Sequence, residues 1–150
     1  MADNDKDVAV LNTLLSTVYD SVKGYEESSR DVDSQSVRTL FHEGAKERTQ
    51  VAHMLRDEVT RLGGDPTDSP SMLGAAHRAF MNLREMVSAR EDKAIIEEVE
   101  RGEDYIKEKF ETAIGNTDLS AGTLDAVQRA YTVVKQGHDR ARDLKRSVQA

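Results

Sequence analysis

The chain contains no cysteine and no tryptophan, and only two of its 150 residues are proline. Without cysteine it has no disulfide, no thiolate metal ligand and no thiol nucleophile, and cysteine usage cannot indicate a compartment. Aromatic residues make up only 5% of the chain, whereas charged residues make up 33%. This composition favours long, solvated helices over a sheet-rich fold. A chain of this length suits one domain with a core of its own.

Long apolar runs are also missing, and no stretch approaches the roughly 18 apolar residues that a membrane span needs. The first residues are acidic and contain no apolar signal core. We therefore expect a cytoplasmic protein that has no membrane partner. The net charge of −7 repels phosphate backbones, so no nucleic-acid partner is expected. The cations near the C-terminus, such as Arg140 and Lys145, are explained by the negative end of a helix dipole.

Apolar residues recur at alternating spacings of three and four along most of the chain, which is typical of helices packed lengthwise against each other. After a mobile tail over residues 1–6, a single helical domain is predicted over 7–150. Its first helix spans about 7–29, and its second ends at Gly63-Gly64. Ser69 and Pro70 begin a shorter helix. Two further long helices follow, separated by Gly115-Asn116.

The order of these elements predicts the topology. Consecutive helices joined by a short connection lie antiparallel, and the shorter helix is long enough to return along the bundle. The predicted fold is therefore all-α: a ferritin-like antiparallel four-helix bundle with a short helix in the long crossover between its second and third long helices.

A few polar residues interrupt the apolar seams. Arg48 follows Gly44 by four residues and precedes Val51 by three, so it occupies a seam position of the second helix. His138 likewise follows Val134 by four residues and precedes Ala141 by three, so it is predicted to point inward from the last helix. The three-residue spacing of Glu100 and Glu103 places both on one edge of the helix before it.

Residue counts from the shared end of the bundle place four of these side chains at a similar depth. They are Arg48, Glu100, Glu103 and His138. Glu26, on the edge of the first helix, lies nearer the end and reaches this layer only from above. The layer has two interpretations: a carboxylate and histidine metal site, or a buried polar network in which Arg48 is neutralised by a glutamate.

For the metal site the candidate ligands are Glu26, Glu100, Glu103 and His138. A di-iron or di-manganese centre takes a Glu from two helices and Glu-x-x-His from the other two. The last helix instead has Lys135-x-x-His138, and the second has Glu47-x-x-Gln50. A permanently charged arginine also opposes a dication. The network, in which an arginine has replaced the metal, is therefore the favoured interpretation.

Two further residues are assigned packing roles. His77, on the predicted crossover helix, lies towards the opposite end of the bundle from His138, so we expect it to pack or to hydrogen-bond. Tyr25 is expected in the core, with its hydroxyl bonded to a neighbour. No nucleophile constellation or phosphate-binding loop is present in the sequence.

The stretches Gly24-Tyr25, Leu73–Arg78, Glu98–Asp104 and His138-Asp139 resemble a bacterial domain-of-unknown-function family of ferritin-like four-helix-bundle proteins. The resemblance covers about residues 8–144, and its Glu-Arg-Gly-Glu-Asp run is the most specific part. It implies the ferritin-like fold and a cytoplasmic setting. Metal-related or stress-related roles are suspected in such families by analogy with the superfamily, which is weak support for a function.

The sequence therefore predicts a non-enzymatic bundle protein without a cofactor that acts as a stress-associated or interaction module. The alternative is a metal-binding protein that takes iron, manganese or zinc. We expect a homodimer. Val10, Leu14, Met81 and Val133 are apolar positions outside the seams, and they either form a dimer face or cover the crossover. The sequence does not identify any other protein partner.

Overall fold

The computed structural model describes residues 2–69, 91–116 and 118–149, and it contains four long helices. They are α1 (Ala2–Asp31), α2 (Gln35–Arg61), α3 (Asp92–Ile114) and α4 (Ala121–Gln149). No strand occurs among these residues, so the predicted all-α class is confirmed. The predicted crossover helix, including His77, lies outside the described residues. None of the helices just named is both long and apolar enough to cross a membrane.

Local sequence signals account for both ends of α2. Ser34 has an extended backbone conformation, and its hydroxyl accepts a hydrogen bond from the Val37 amide at 3.3 Å. This is the geometry of an N-cap, which satisfies an amide that has no partner within the helix. At the other end, Gly63 has φ +79, a left-handed conformation that costs glycine little.

Contacts at the helix ends establish the topology. The Asp92 carboxylate accepts hydrogen bonds from the backbone amides of Asp33, at 2.8 Å, and Ser34, at 2.9 Å. The N-terminal ends of α2 and α3 therefore lie at the same end of the bundle. At the opposite end, Asp7 near the start of α1 accepts a 2.6 Å hydrogen bond from the hydroxyl of Ser120, which precedes α4. Hence α2 and α3 are parallel, as the ferritin-like topology requires.

Each helix packs against two antiparallel neighbours. Helix α1 contacts α2 and α3, and α4 contacts the same two helices from the other side. Helices α2 and α3 are consequently diagonal partners across the centre of the bundle. A side chain that joins them passes through the middle of the core.

The first helix begins earlier than the sequence pattern indicated. It starts at Ala2, so residues predicted as a tail are helical, and the Asn4 amide donates to the Leu62 carbonyl at 3.2 Å. Asp7 is only 1% exposed. Acidic residues in a first helical turn interact favourably with the helix dipole, which explains why a polar start is compatible with helix.

The core consists of two apolar clusters stacked along the bundle. The larger includes Leu11, Leu55, Phe110 and Val127, and the smaller includes Tyr25, Phe41 and Ile95. On α2 the smaller cluster ends at Ala45 and the larger begins at Val51. On α3 the corresponding limits are Ile96 and Ile106. The interval between the two clusters contains polar side chains.

Of the apolar positions that suggested a dimer face, those that the structure describes belong to the core or pack against it. Leu14 is buried, and Val10 and Val133 pack against the larger cluster. Met81 lies outside the described residues. Leu40, at 44% exposure, is the one large apolar side chain that is exposed in the part of the chain described. These positions extend the core because the inward face of each helix is wider than a strict three-and-four seam.

Candidate functional site

An ion pair occupies the interval between the two apolar clusters. Arg48 of α2 and Glu103 of α3 meet across the centre of the bundle, where Nη1 donates to Oε1 at 2.7 Å and Nη2 donates to Oε2 at 2.5 Å. The two side chains are 1% and 2% exposed. This two-pronged geometry is the strongest arrangement available to an arginine and a carboxylate. We call these two residues the central pair.

The other two helices contribute to the same layer. Nη1 of Arg48 also donates to the Ser21 hydroxyl of α1 at 2.8 Å, and Nη2 donates to the Val134 carbonyl of α4 at 3.2 Å. A buried guanidinium has five N–H groups to satisfy, and each one left without a partner is costly. The central pair is therefore held by groups from all four helices.

Two glycines leave room for this layer. A Cβ atom at Gly137 of α4 would lie 2.6 Å from Nη2 of Arg48 and 3.3 Å from Oε2 of Glu103. A Cβ atom at Gly44 of α2 would lie 2.6 Å from the ring of Tyr25. Side chains at either position would collide with the layer, so the glycines are steric requirements of the ion pair and its aromatic neighbour.

Tyr25 borders the central pair. Its ring is buried against Phe41, and the guanidinium carbon of Arg48 lies 5.7 Å from the ring centroid. Burial raises the pKa of Tyr25, and the neighbouring Glu103 carboxylate raises it further. The phenol therefore stays neutral and contributes no charge to the layer.

Burial also affects Arg48. Desolvation on its own would lower the pKa of Arg48, but the attraction of Glu103, Tyr25 and Glu47, together with the hydrogen bonds to Glu103, outweighs it and the pKa is raised. The guanidinium thus remains charged. The layer contains one fixed positive charge, compensated by one carboxylate.

A second group of polar side chains lies at the edge between α3 and α4. Nε2 of His138 lies 2.7 Å from Oδ1 of Asp104, and Nδ1 lies 3.2 Å from Oδ1 of Asp139. Glu100 is one helical turn before Asp104. One ligand atom from each of Glu100, Asp104 and His138 lies within 4.8 Å of the other two. We call these three residues the edge cluster.

The charges around the edge cluster are partly balanced. Nζ of Lys145 lies 3.4 Å from Oε2 of Glu100. The hydrogen bond with His138 lowers the pKa of Asp139, and Arg142 contributes to the same shift. Asp139 is therefore an ionised carboxylate that orients the imidazole from its Nδ1 side.

The structure distributes the candidate residues over several places. Arg48 and Glu103 are paired in the centre, whereas Glu100 and His138 belong to the edge cluster, with His138 only 7% exposed. Glu26 is exposed, and its side chain forms no hydrogen bond or ion pair with either group. The four side chains that residue counting placed in one layer therefore form two neighbouring groups. Their separation arises because Glu103 faces the bundle axis while Glu100 faces α4.

Sequence reasoning overlooked three contributors. Asp104 follows Glu100 by four residues and thus lies on the same helix face, a spacing that was visible in the sequence. Gly137 immediately precedes His138, but its role depends on where the Arg48 side chain ends. The hydroxyl of Ser21 faces the layer from α1, and no periodic signal distinguishes it from other helical serines.

Residues 6–116 match the protein family described as Domain of unknown function (DUF2383). The chain belongs to this family. The match covers more than half of the chain and includes both Arg48 and Glu103. No curated protein matches the sequence.

Two solved structures are similar to this chain in fold. The chain is 16% identical to a ferritin-like, diiron-carboxylate protein from Bacillus anthracis str. Ames, with a TM-score of 0.72, 97% of this chain covered and 99% of that one. It is 17% identical, again with a TM-score of 0.72, to a two-domain protein from Anabaena variabilis that contains DJ-1/ThiJ/PfpI-like and ferritin-like domains. That match covers 95% of this chain but 36% of the other, so the chain spans about a third of that protein. At these identities the similarity establishes the ferritin-like fold alone.

The central pair does not fit a two-metal centre. Such centres take carboxylates from all four helices and histidines from two. Among the described residues that contact Arg48, Glu103 supplies the one carboxylate, and both of its oxygens already accept from the guanidinium. The α1 and α4 contributions are a hydroxyl and a backbone carbonyl. The donor set is too poor in negative charge for two dications.

Proposed function

We propose that this protein is a non-enzymatic ferritin-like bundle that acts in the cytoplasm as a stress-associated or interaction module, with the central pair in place of a metal centre. The observation that supports this proposal is the buried, two-pronged ion pair between Arg48 and Glu103. An arginine performs the structural task of a metal because it provides a positive charge that carboxylate and hydroxyl oxygens of different helices can share.

Electrostatics opposes a metal in the same place. The guanidinium is permanently charged and is already buried where a dication would have to enter. Binding a metal through Glu103 would require the carboxylate to leave Arg48. That exchange would leave an unpaired buried charge, at a cost of several kcal/mol.

The charged surface is consistent with the absence of a nucleic-acid partner. Several cations of α4 are paired with carboxylates, among them Arg140, 2.5 Å from Glu47, and Lys145, 3.4 Å from Glu100. Paired cations present little free positive potential to phosphates. With a net charge of −7, the protein is expected to remain unbound by DNA at physiological salt.

Iron oxidation tests the proposal. Fe(II) is added aerobically to the purified protein, and the ferric product is followed by its near-ultraviolet absorbance. The expected rate equals that of Fe(II) in buffer alone. Rapid, stoichiometric oxidation that is lost in Glu103→Gln but retained in His138→Ala would contradict the proposal, because it would locate a working metal centre at the central pair.

The homodimer belongs to this proposal on the sequence argument alone, because Leu14 is buried and Val10 and Val133 pack against the larger cluster. Light scattering at micromolar concentration tests it. A mass of twice 16.7 kDa is expected. A mass of one chain over the whole concentration range would remove the homodimer from the proposal and leave the central pair unaffected.

A second candidate function is metal binding by the protein, with iron, manganese or zinc as the ion. It is favoured by one specific observation, the convergence of Glu100, Asp104 and His138 at the edge of the bundle. This candidate does not involve the central pair.

A further inference from the structure

We propose that the edge cluster binds one divalent transition-metal ion through Nε2 of His138 and the carboxylates of Asp104 and Glu100. The inference rests on the second candidate function and deepens it by naming the ligands; it does not depend on the leading proposal, because the edge cluster is separate from the central pair. The ligand atoms come from two adjacent turns of α3 and from the facing position of α4.

The surroundings of the imidazole point to a cation. Both ring nitrogens of His138 face carboxylate oxygens, Nε2 at 2.7 Å from Asp104 and Nδ1 at 3.2 Å from Asp139. A neutral imidazole has one N–H, so it donates to one of these carboxylates and turns a lone pair to the other. A positive charge on the second side removes that repulsion, and either a second proton or a metal ion provides it.

Three features favour the metal ion. His138 is 7% exposed, so its ring is held in place, whereas the 53% exposed Asp104 can adjust and leaves a route from solvent. Glu100 adds a second carboxylate on the same side of the ring, which a proton on Nε2 does not need. Imidazole and carboxylate oxygens together suit zinc, iron and manganese.

Asp139 completes the arrangement. Metal-binding histidines usually donate the N–H of the other ring nitrogen to a carboxylate or carbonyl, which fixes the tautomer and increases the basicity of the ligating nitrogen. Asp139 stands in that position relative to Nδ1. The tautomer with the proton on Nδ1 directs the Nε2 lone pair towards Asp104 and Glu100.

Lys145 is the natural competitor of the ion. Its ammonium lies 3.4 Å from Oε2 of Glu100 and neutralises part of the negative charge that would attract a cation. Binding of the ion therefore displaces Lys145 towards solvent. Removal of this lysine should strengthen metal binding, an effect opposite in sign to the loss of a ligand.

Equilibrium dialysis with Zn²⁺ and with Mn²⁺, followed by elemental analysis, measures the binding. We expect one ion per chain, at least about tenfold weaker affinity in His138→Ala and in Asp104→Asn, and tighter binding in Lys145→Ala. The matched control is Asp125→Asn, an exposed aspartate of α4 that pairs with Arg129 at 3.0 Å. It should bind as the unmodified chain does. Circular dichroism verifies that each variant is folded, and Asp104, being exposed, is the variant least prone to misfold.

Three results would overturn the inference. They are the absence of uptake above the buffer control, uptake that neither His138→Ala nor Asp104→Asn weakens, and an imidazole nitrogen NMR spectrum of His138 that does not change on addition of Zn²⁺. Uptake that is lost in Glu103→Gln and kept in His138→Ala would overturn both this inference and the proposed function. Failure of uptake altogether would also remove the second candidate function, but it would leave the proposal for the central pair intact.

Discussion

Substitution of the arginine in the central pair is the perturbation with the clearest expected magnitude. Arg48→Met keeps much of the length of the side chain but removes its charge. Glu103 is 2% exposed, so its carboxylate would be left without a cation in a nearly anhydrous layer. The Ser21 hydroxyl and the Val134 carbonyl would also lose their donor.

Removal of one partner of a buried ion pair costs about 3 to 5 kcal/mol. For a domain of this size each kcal/mol lowers the melting temperature by about 2 to 4 °C, so a decrease of about 6 to 20 °C is expected. The double variant Arg48→Met/Glu103→Leu should be more stable than the sum of its single changes implies, because apolar residues often replace a whole buried pair at little cost.

Thermal and urea unfolding of the unmodified protein, Arg48→Met, Glu103→Leu and the double variant measures the coupling between the two residues. Arg140→Met is the control, because Arg140 also pairs with a glutamate at 2.5 Å but is 45% exposed. Its loss should change stability by about 0 to 1 kcal/mol. If Arg48→Met unfolds no more easily than Arg140→Met, or if the two single changes are simply additive, the reasoning about the central pair is refuted.

Four further substitutions test other parts of the structure. Gly137→Ala places a methyl group against the guanidinium and should destabilise the fold by about 1 to 3 kcal/mol in urea unfolding, whereas Gly102→Ala, where a Cβ meets nothing within 4 Å, should stabilise it by about 0.5 to 1 kcal/mol. Asp92→Ala removes the acceptor shared by two backbone amides at the start of α2 and should cost about 1 to 2 kcal/mol by the same assay; an unchanged midpoint would contradict its capping role. The Tyr131 hydroxyl donates to Glu111 at 2.6 Å, lowering the pKa of Glu111 and raising that of Tyr131 to about 12. The folded pKa of Glu111 lies below the unfolded value of about 4.3, so this bond stabilises the fold above pH 4.3, and its contribution is lost as the pH falls through the folded pKa. In Tyr131→Phe the pKa of Glu111, measured by NMR titration, should rise towards 4.3.

The helical architecture could be predicted because it follows from local signals. Apolar spacing of three and four, the Ser34 cap and the Gly63-Gly64 end mark α2 without any knowledge of its neighbours. The start of α1 could not be placed in the same way. Its first turns are stabilised by contacts with distant chain, including the hydrogen bond from Asn4 to Leu62.

The candidate site depends on finer geometry than periodicity provides. Three polar residues could be recognised on apolar seams, because helical periodicity determines which face of a helix a residue occupies. They are Arg48, Glu103 and His138. The partner of each residue depends on where its long side chain ends. Glu100 and Glu103 differ by part of a helical turn around the axis of α3, so Glu103 reaches Arg48 while Glu100 lies at the edge. Sequence spacing does not resolve so small an angular difference.

The central claim is that Arg48 and Glu103 occupy the place that a metal centre would take. An anomalous difference map from crystals loaded with Fe(II) and measured at the iron absorption edge tests it most directly. The claim predicts no peak within coordinating distance of the Glu103 carboxylate, even if one is found beside His138. A peak on Glu103, with the Arg48 guanidinium displaced from it, would contradict the claim.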